Sequence, residues 1–425
     1  MGTCRARGGI GGRVITERWP TWPISDREAE GAVLRVIRSG RWAISGMNVG
    51  AESEERRFGN AFAAFIGVRH GIPTANGSSA LVAALEAVGI GYGDEVLVPG
   101  LAWVACASAV ARVGAIPVFV DIDVQDYAMR ADHAESLITD RTAGILLTHL
   151  SSSVADVDAF MDLSERYGLA LVEDCSQAHG ASWRGRRVGS FGRAAAFSFQ
   201  SSKLLTAGEG GVVVTDDDPL ADAIQQLRAD GRQWKDEPTA ENFPDLRPGF
   251  GRQGHNFCMT EMQAAILLHG LTLLDDQNEI RRERVRYLEG RLADVCGVDV
   301  VRRRDDPRVD RETYWHLPIR IDSAEFGGAS AEEVRASLSA RVGLFFEPVG
   351  VPMHRHPLYR PSAYHRFPPE HVARLAALRA ELPGAECLAT ECFTMPHHGL
   401  LASTNQLDAL VDELAALQRA MRESG

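Results

Sequence analysis

Six short apolar runs recur between positions 94 and 215, and segments of helical period separate them. The runs at 94–98, 116–121, 143–149, 170–174, 194–199 and 211–215 are nearly continuous rather than alternating. That is the pattern of strands covered on both faces. The intervening stretches 78–88, 105–113, 132–137, 157–167 and 219–228 read as helices, so the pattern predicts a mostly parallel sheet flanked by helices. In such a sheet a ligand lies at the carboxyl ends of the strands. Positions 271–292 read as one long charged helix leading to a further strand at 316–321 and helices at 331–338 and 405–422. Positions 19–42 read as an arm with one short helix. The expected organisation is a disordered lead over 1–18, an arm over 19–50, a large domain over 51–275 and a smaller C-terminal domain over 276–425.

Composition narrows the functional class. A chain of 425 residues, 45% hydrophobic and 24% charged, is an ordinary globular protein with material for two or three domains. The net charge of −12 argues against a nucleic-acid surface, which needs clustered Lys and Arg. No apolar run is long enough to span a bilayer, so no membrane partner is expected. The seven cysteines are scattered and form no Cys-x-x-Cys pair, which fits a reducing cytoplasm and predicts neither a disulfide framework nor a metal site. Residues 1–13 are rich in Gly and Arg without an apolar core, unlike a secretory signal.

The chemistry concentrates in two segments. Ser198-Phe199-Gln200-Ser201-Ser202-Lys203-Leu204-Leu205-Thr206-Ala207-Gly208 places one lysine in a turn of small residues between two strands. Alone, such a lysine usually points into solvent. Ala170-Leu171-Val172-Glu173-Asp174-Cys175-Ser176-Gln177-Ala178-His179 is a buried strand ending in carboxylates, where an unpaired acid is costly. Alone, Asp174 reads as an ion pair or a helix cap. Together the two suit a pyridoxal phosphate enzyme: a Schiff-base lysine, and an acid for the pyridinium nitrogen. Gln177 is then a candidate for the ring oxygen and Ser198 for the phosphate, whereas His179 reads equally as a core histidine.

Weaker signals surround this pair. Asn76-Gly77-Ser78-Ser79 opens a helix with serine as the expected N-cap, and free N–H groups there also suit a phosphate. Trp103, after a strand end, is either a core residue or a stacking partner for a flat ring. Thr260 and Gln263 have capping-box spacing, and nearby Asn256 carries no signal of its own.

Taken together, these segments resemble the fold-type I pyridoxal phosphate aminotransferases of the DegT/DnrJ/StrS family, from about Trp19 onward. The resemblance implies an α/β aspartate aminotransferase-like fold, with a mostly parallel seven-stranded sheet and a smaller C-terminal α/β domain. It also implies that Lys203 forms the Schiff base, Asp174 pairs with the pyridine nitrogen, Gln177 binds the ring oxygen and Trp103 stacks on the ring. Gly77, Ser78, Ser79 and Ser198 would hold the phosphate. Asn256 would reach the phosphate of a neighbouring subunit, which implies a homodimer with shared sites. Arg41-Trp42-Ala43-Ile44-Ser45-Gly46, Asn256-Phe257-Cys258-Met259 and Met395-Pro396-His397-His398 look like the cyclitol branch, the L-glutamine:inosose aminotransferases of aminoglycoside pathways.

The expected reaction is a two-stage transfer from L-glutamine to a ring ketone, with pyridoxamine phosphate as the intermediate form of the cofactor. Arg228 and Arg232 are candidates for the donor carboxylate, although either alone reads as a salt bridge. His397 and His398 are candidates for cyclitol hydroxyls or for domain packing. The Lys203 turn also looks like 3-amino-5-hydroxybenzoate synthase, an aromatising dehydratase. A nucleotide-keto-sugar aminotransferase and a non-transaminating cofactor-binding regulator are the other readings.

Overall fold

The computed structural model describes residues 17–424 apart from 49, 51, 236–238, 304–305, 361–366 and 378–380. Most of the expected lead over 1–18 therefore lies outside the described residues. The principal sheet has seven strands: β1 His70–Thr74, β2 Glu95–Pro99, β3 Ile116–Val120, β4 Thr142–Thr148, β5 Ala170–Asp174, β6 Ala194–Ser198 and β7 Gly211–Thr215. Their spatial order is β1-β7-β6-β5-β4-β2-β3. Only β7 runs against its neighbours. Strands β2, β3, β6 and β7 are buried at every position, which is why each reads as an unbroken apolar run.

The apolar pattern does not predict β1. It contains Gly71 and Pro73, poor strand residues, and it is tolerated because β1 lies at the sheet edge. Nor does the pattern predict the helix Glu54–Ile66, which packs through Phe58 and Phe62 against Phe197 and Phe199.

The registers decide what meets at one edge of the sheet. Pro99 pairs with Val120, Thr148 with Asp174, Ser198 with Gly211, and Gly211 with Thr74. The ends of β1, β2, β4, β5 and β6 and the start of β7 thus open on the same side. Asp174, Ser198, the Lys203 turn, the Asn76-Gly77 turn and the segment leading to Trp103 all follow from that edge.

A second sheet is antiparallel, of β8 Val298–Val300, β9 His316–Ile321, β10 Glu347–Pro348 and β11 Cys392–Pro396, in the order β8-β9-β11-β10. Leu317, Phe326, Val334, Phe346 and Phe393 fill its own apolar cluster. The helix Glu261–Leu292 runs between the two cores. Ala264 and Leu267 pack with the principal sheet and Val285 and Leu288 with the second. Its 32 residues make it about 48 Å long. The Thr260–Gln263 capping box expected from spacing starts it ten residues earlier than the charged stretch suggests. The arm helix Arg27–Ser39, capped by Asp26, lays Ala32 and Val36 on Ala265 of this long helix.

Candidate active site

Lys203 is buried, although it sits in a turn. Its backbone is held from three directions. Its N–H donates to Gln200 O at 2.8 Å, Trp22 Nε1 donates to its carbonyl at 3.1 Å, and Trp315 Nε1 donates to the adjoining Ser202 carbonyl at 2.7 Å. The amine Nζ lies 3.5 Å from the centroid of the Trp315 ring. Burial pulls its pKa down to about 8, while the carboxylates of Asp174 and Glu347 oppose the shift. Such a lysine is still mostly protonated at pH 7, but its neutral fraction, which a nucleophile or proton carrier uses, is far larger than that of a solvated lysine.

Asp174 ends β5 and is buried. Its Oδ1 accepts from Ser176 N at 3.0 Å and its Oδ2 from the Cys106 thiol at 3.2 Å. Burial pushes the Cys106 thiol well above its ordinary pKa and Asp174 adds to the effect, so Cys106 stays protonated and donates. The preceding Glu173 faces the other side of the sheet, as alternation in a strand demands. It accepts from the N–H groups of Gly189, Phe191 and Gly192 and from His149, and so pins the loop leading into β6. Gln177 Oε1 accepts from Ser151 N at 2.7 Å, which leaves the Nε2 end as the donor. His179 donates to Ser198 O at 2.9 Å, while its buried Nδ1 has no partner. Burial lowers its pKa to about 3.

The helix Gly77–Ala87 is capped by Asn76, whose Oδ1 accepts from Ser79 N at 2.9 Å. This corrects the expectation of a serine cap. The Ser79 hydroxyl donates to Asn76 O at 3.0 Å, and Ser78 is exposed. Gly77 is required here by close approach, since a Cβ on it would lie 2.5 Å from Ser198 Cβ. A Cβ on Gly211 would lie 2.5 Å from Asn76 O. The start of the helix therefore packs closely against Ser198, whose Oγ lies 2.9 Å from that Cβ position on Gly77. Trp103 is 60% exposed. Asn256 is exposed, makes a backbone bridge to Ala229, and accepts from Cys258 N at 3.4 Å.

The candidates for substrate contact divide. Arg228 is fully enclosed. Its guanidinium donates to Glu55, to Pro73 O at 3.0 Å and to Gln225 Oε1 at 2.6 Å. It is engaged in the core and not open to a donor carboxylate, because the helix Asp218–Arg228 turns its last residue inward against the helix Glu54–Ile66. Arg232 donates to Ala229 O and Asp230 within its own turn. His397 is buried, accepts from Arg281 at 3.1 Å and donates to Ser202 O at 3.1 Å, so it supports the Lys203 turn. His398 is half-buried, 5.9 Å from the His397 ring. Trp315, His316, Glu347 and Cys106 carry no motif, and the sequence pattern does not single them out.

The chain belongs to the DegT/DnrJ/EryC1/StrS aminotransferase family, whose model matches residues 23–414. It is 41% identical over 414 residues to the L-glutamine:2-deoxy-scyllo-inosose aminotransferase of Streptoalloteichus tenebrarius, covering 97% of this chain and 96% of that one. It is 39% identical over 413 residues to the L-glutamine:scyllo-inosose aminotransferase of Streptomyces griseus, covering 97% and 96%. Among solved structures, a 3-amino-5-hydroxybenzoic acid synthase matches with a TM-score of 0.79 at 30% identity, covering 95% of this chain and 99% of that one. The protein is an aminotransferase with the fold-type I architecture that its sequence resemblance implied.

Proposed function

We propose that this enzyme moves the amino group of L-glutamine to the ring ketone of an inosose-class cyclitol, using pyridoxal phosphate attached to Lys203, as a step in aminocyclitol antibiotic formation. The observation that carries the reading is a buried amine of lowered pKa on the same sheet edge as Asp174. The chain around it matches glutamine:inosose aminotransferases over 97% of its length.

The residues present fit the cofactor. The cradle between Gly77 and Ser198 has no room for a side chain at position 77, and its donors are helix N–H groups and a hydroxyl, which suit a phosphate. Asp174 suits the ring nitrogen, the Nε2 end of Gln177 suits the ring oxygen, and Trp103 offers an open aromatic face. Bound there, pyridoxal phosphate would supply an electron-accepting ring and carry the amino group between the two substrates. Lys203 would hold the cofactor at rest and, once displaced, take the proton from the donor's α-carbon. Asp174 would keep the ring nitrogen protonated by charge, fixed in place by Ser176 and Cys106. Trp315, covering Nζ, would limit water at the amine.

The partner in this reading is a second copy of the chain. An apolar groove of about 660 Å³ runs beside the Lys203 turn, between Trp22, Ile24 and Leu34 of the arm and Leu204, Ile266 and Leu273. Ile24 and Leu34 are 54% and 45% exposed there, apolar side chains that a second copy could cover. The exposed Asn256 suits a contact reaching a neighbouring site. Sedimentation at equilibrium tests this, and a monomer would overturn it.

Titration of the cofactor-loaded protein with L-glutamine, followed by absorbance, tests the reaction. Conversion to the pyridoxamine form, reversed by scyllo-inosose or its 2-deoxy analogue, is expected. An aromatic amine released without donor consumption would support the dehydratase reading instead.

A further inference from the structure

We propose that Glu347, with His316 and His398, forms the wall that recognises the hydroxyl groups of the acceptor ring beside Lys203. The wall selects a neutral polyol ketone over an anionic sugar nucleotide. This rests on the transamination reading above and assigns the acceptor's binding groups within it.

The wall belongs to the second sheet. Glu347 lies on β10 opposite Thr394, two residues before Pro396 of β11, and Pro396 pairs with His316 at the start of β9. His397 and His398 follow Pro396 directly. The register therefore gathers Glu347, His316 and His398 at one end of this sheet. That end is joined to the catalytic lysine by contact. The His316 ring stacks on Trp315, with centroids 3.9 Å apart and planes 16° from parallel, and Trp315 in turn faces Lys203 Nζ at 3.5 Å. Glu347 Oε1 is 3.5 Å from His316 Nε2. The carboxylate also lies close enough to Lys203 and His398 for their charges to lower its pKa, with His316 the largest influence.

Among the described residues no arginine or lysine forms a direct ion pair with Glu347, and its side chain is 41% exposed beside the lysine. An ionised carboxylate only accepts hydrogen bonds, and its two oxygens match two neighbouring hydroxyl groups of a ring. Imidazoles beside it can donate to or accept from further hydroxyls. The same charge disfavours a diphosphate, which calls for cations. The two arginines nominated from the sequence for anionic groups are engaged elsewhere, Arg228 with Glu55 and Arg232 with Asp230. A carboxylate and imidazoles suit a hydroxylated ring that carries no phosphate; Arg281, whose charge reaches His398, is buried and donates to Asn278 and His397.

The test separates the two half-reactions of the cofactor-loaded enzyme. In Glu347→Gln, single-turnover conversion by L-glutamine changes only through the altered charge beside Lys203, and its loss is expected to be several-fold smaller than the loss for the acceptor. The kcat/KM for scyllo-inosose in the return half-reaction should fall roughly 10- to 100-fold, the loss expected for hydrogen bonds to a charged group. Cyclohexanone, a ketone without hydroxyls, should react equally poorly with both proteins. His316→Asn should show the same split. A parallel loss in both half-reactions would overturn the proposal, because Glu347 would then act on Lys203 or on the fold. An unchanged return half-reaction would also overturn it. A wild-type enzyme inert to L-glutamine would instead defeat the underlying transamination reading, and that outcome is visible before any variant is made.

Discussion

The thiol of Cys106 donates to Oδ2 of Asp174 across 3.2 Å, in a site where both side chains are buried. Ser176 N holds the other oxygen, so the carboxylate has a fixed plane before any ligand arrives. Removing the thiol leaves a buried acceptor short of a donor, at a cost of about 1–3 kcal/mol. Cys106→Val should therefore weaken pyridoxal phosphate binding by roughly 5- to 150-fold, and Cys106→Ser should restore most of it. Equal losses in the two variants, read by fluorescence titration, would show that only the packing of Cys106 matters.

Lys203 makes a prediction about pH. Its pKa falls from 10.5 in the unfolded chain to about 8 in the folded one, chiefly through burial. Between those values the unfolded state binds more protons, so stability rises with pH over that window. For the cofactor-free protein the gain over Lys203→Met should total about 3 kcal/mol between pH 8 and 10.5, measured by denaturant unfolding. The rate at which the amine captures pyridoxal phosphate should likewise rise with a midpoint near pH 8. A midpoint near 10.5 would mean that the amine is solvated.

The Arg228–Glu55 pair is a core element. Burial already raises the Glu55 pKa despite its partner, and Arg228→Met would leave that carboxyl unpaired. Stability should drop by about 3–5 kcal/mol, with the KM for L-glutamine unchanged in the folded fraction. Adding Glu55→Gln should recover part of the loss. A raised KM at unchanged stability would make Arg228 a donor contact after all.

Gly77 tests the phosphate cradle. Gly77→Ala forces a methyl group to within 2.5 Å of Ser198 Cβ, so the two segments must part. Overpacking of this kind costs about 1–3 kcal/mol, and pyridoxal phosphate affinity should fall by roughly 5- to 150-fold. Protection of the wild-type site by inorganic phosphate, lost in the variant, would tie the effect to the phosphate end. Unaltered affinity would move the cradle elsewhere.

Legibility in the sequence followed burial. Strands covered on both faces, such as β2 and β3, could be read directly, because a short unbroken apolar run suits neither a solvated loop nor an amphipathic helix. The edge strand β1 could not, since Pro73 and Gly71 survive there only through its position in the sheet. Lys203 and Asp174 stood out because each is chemically odd for its segment. Arg228 misled because a basic residue in a helix's last turn looks the same in sequence whether it faces solvent or the core.

By itself, then, the sequence determined the α/β class and the family, and it nominated the lysine–aspartate pair, since local pattern and residue type encode these. Tertiary structure alone decided that Trp315 covers the amine, that Cys106 supports Asp174 and that Glu347 faces the site. Those contacts join segments far apart in the chain. No spacing records them, because strand order and the packing of two sheets set them, and both become definite only when the whole chain buries its apolar faces at once.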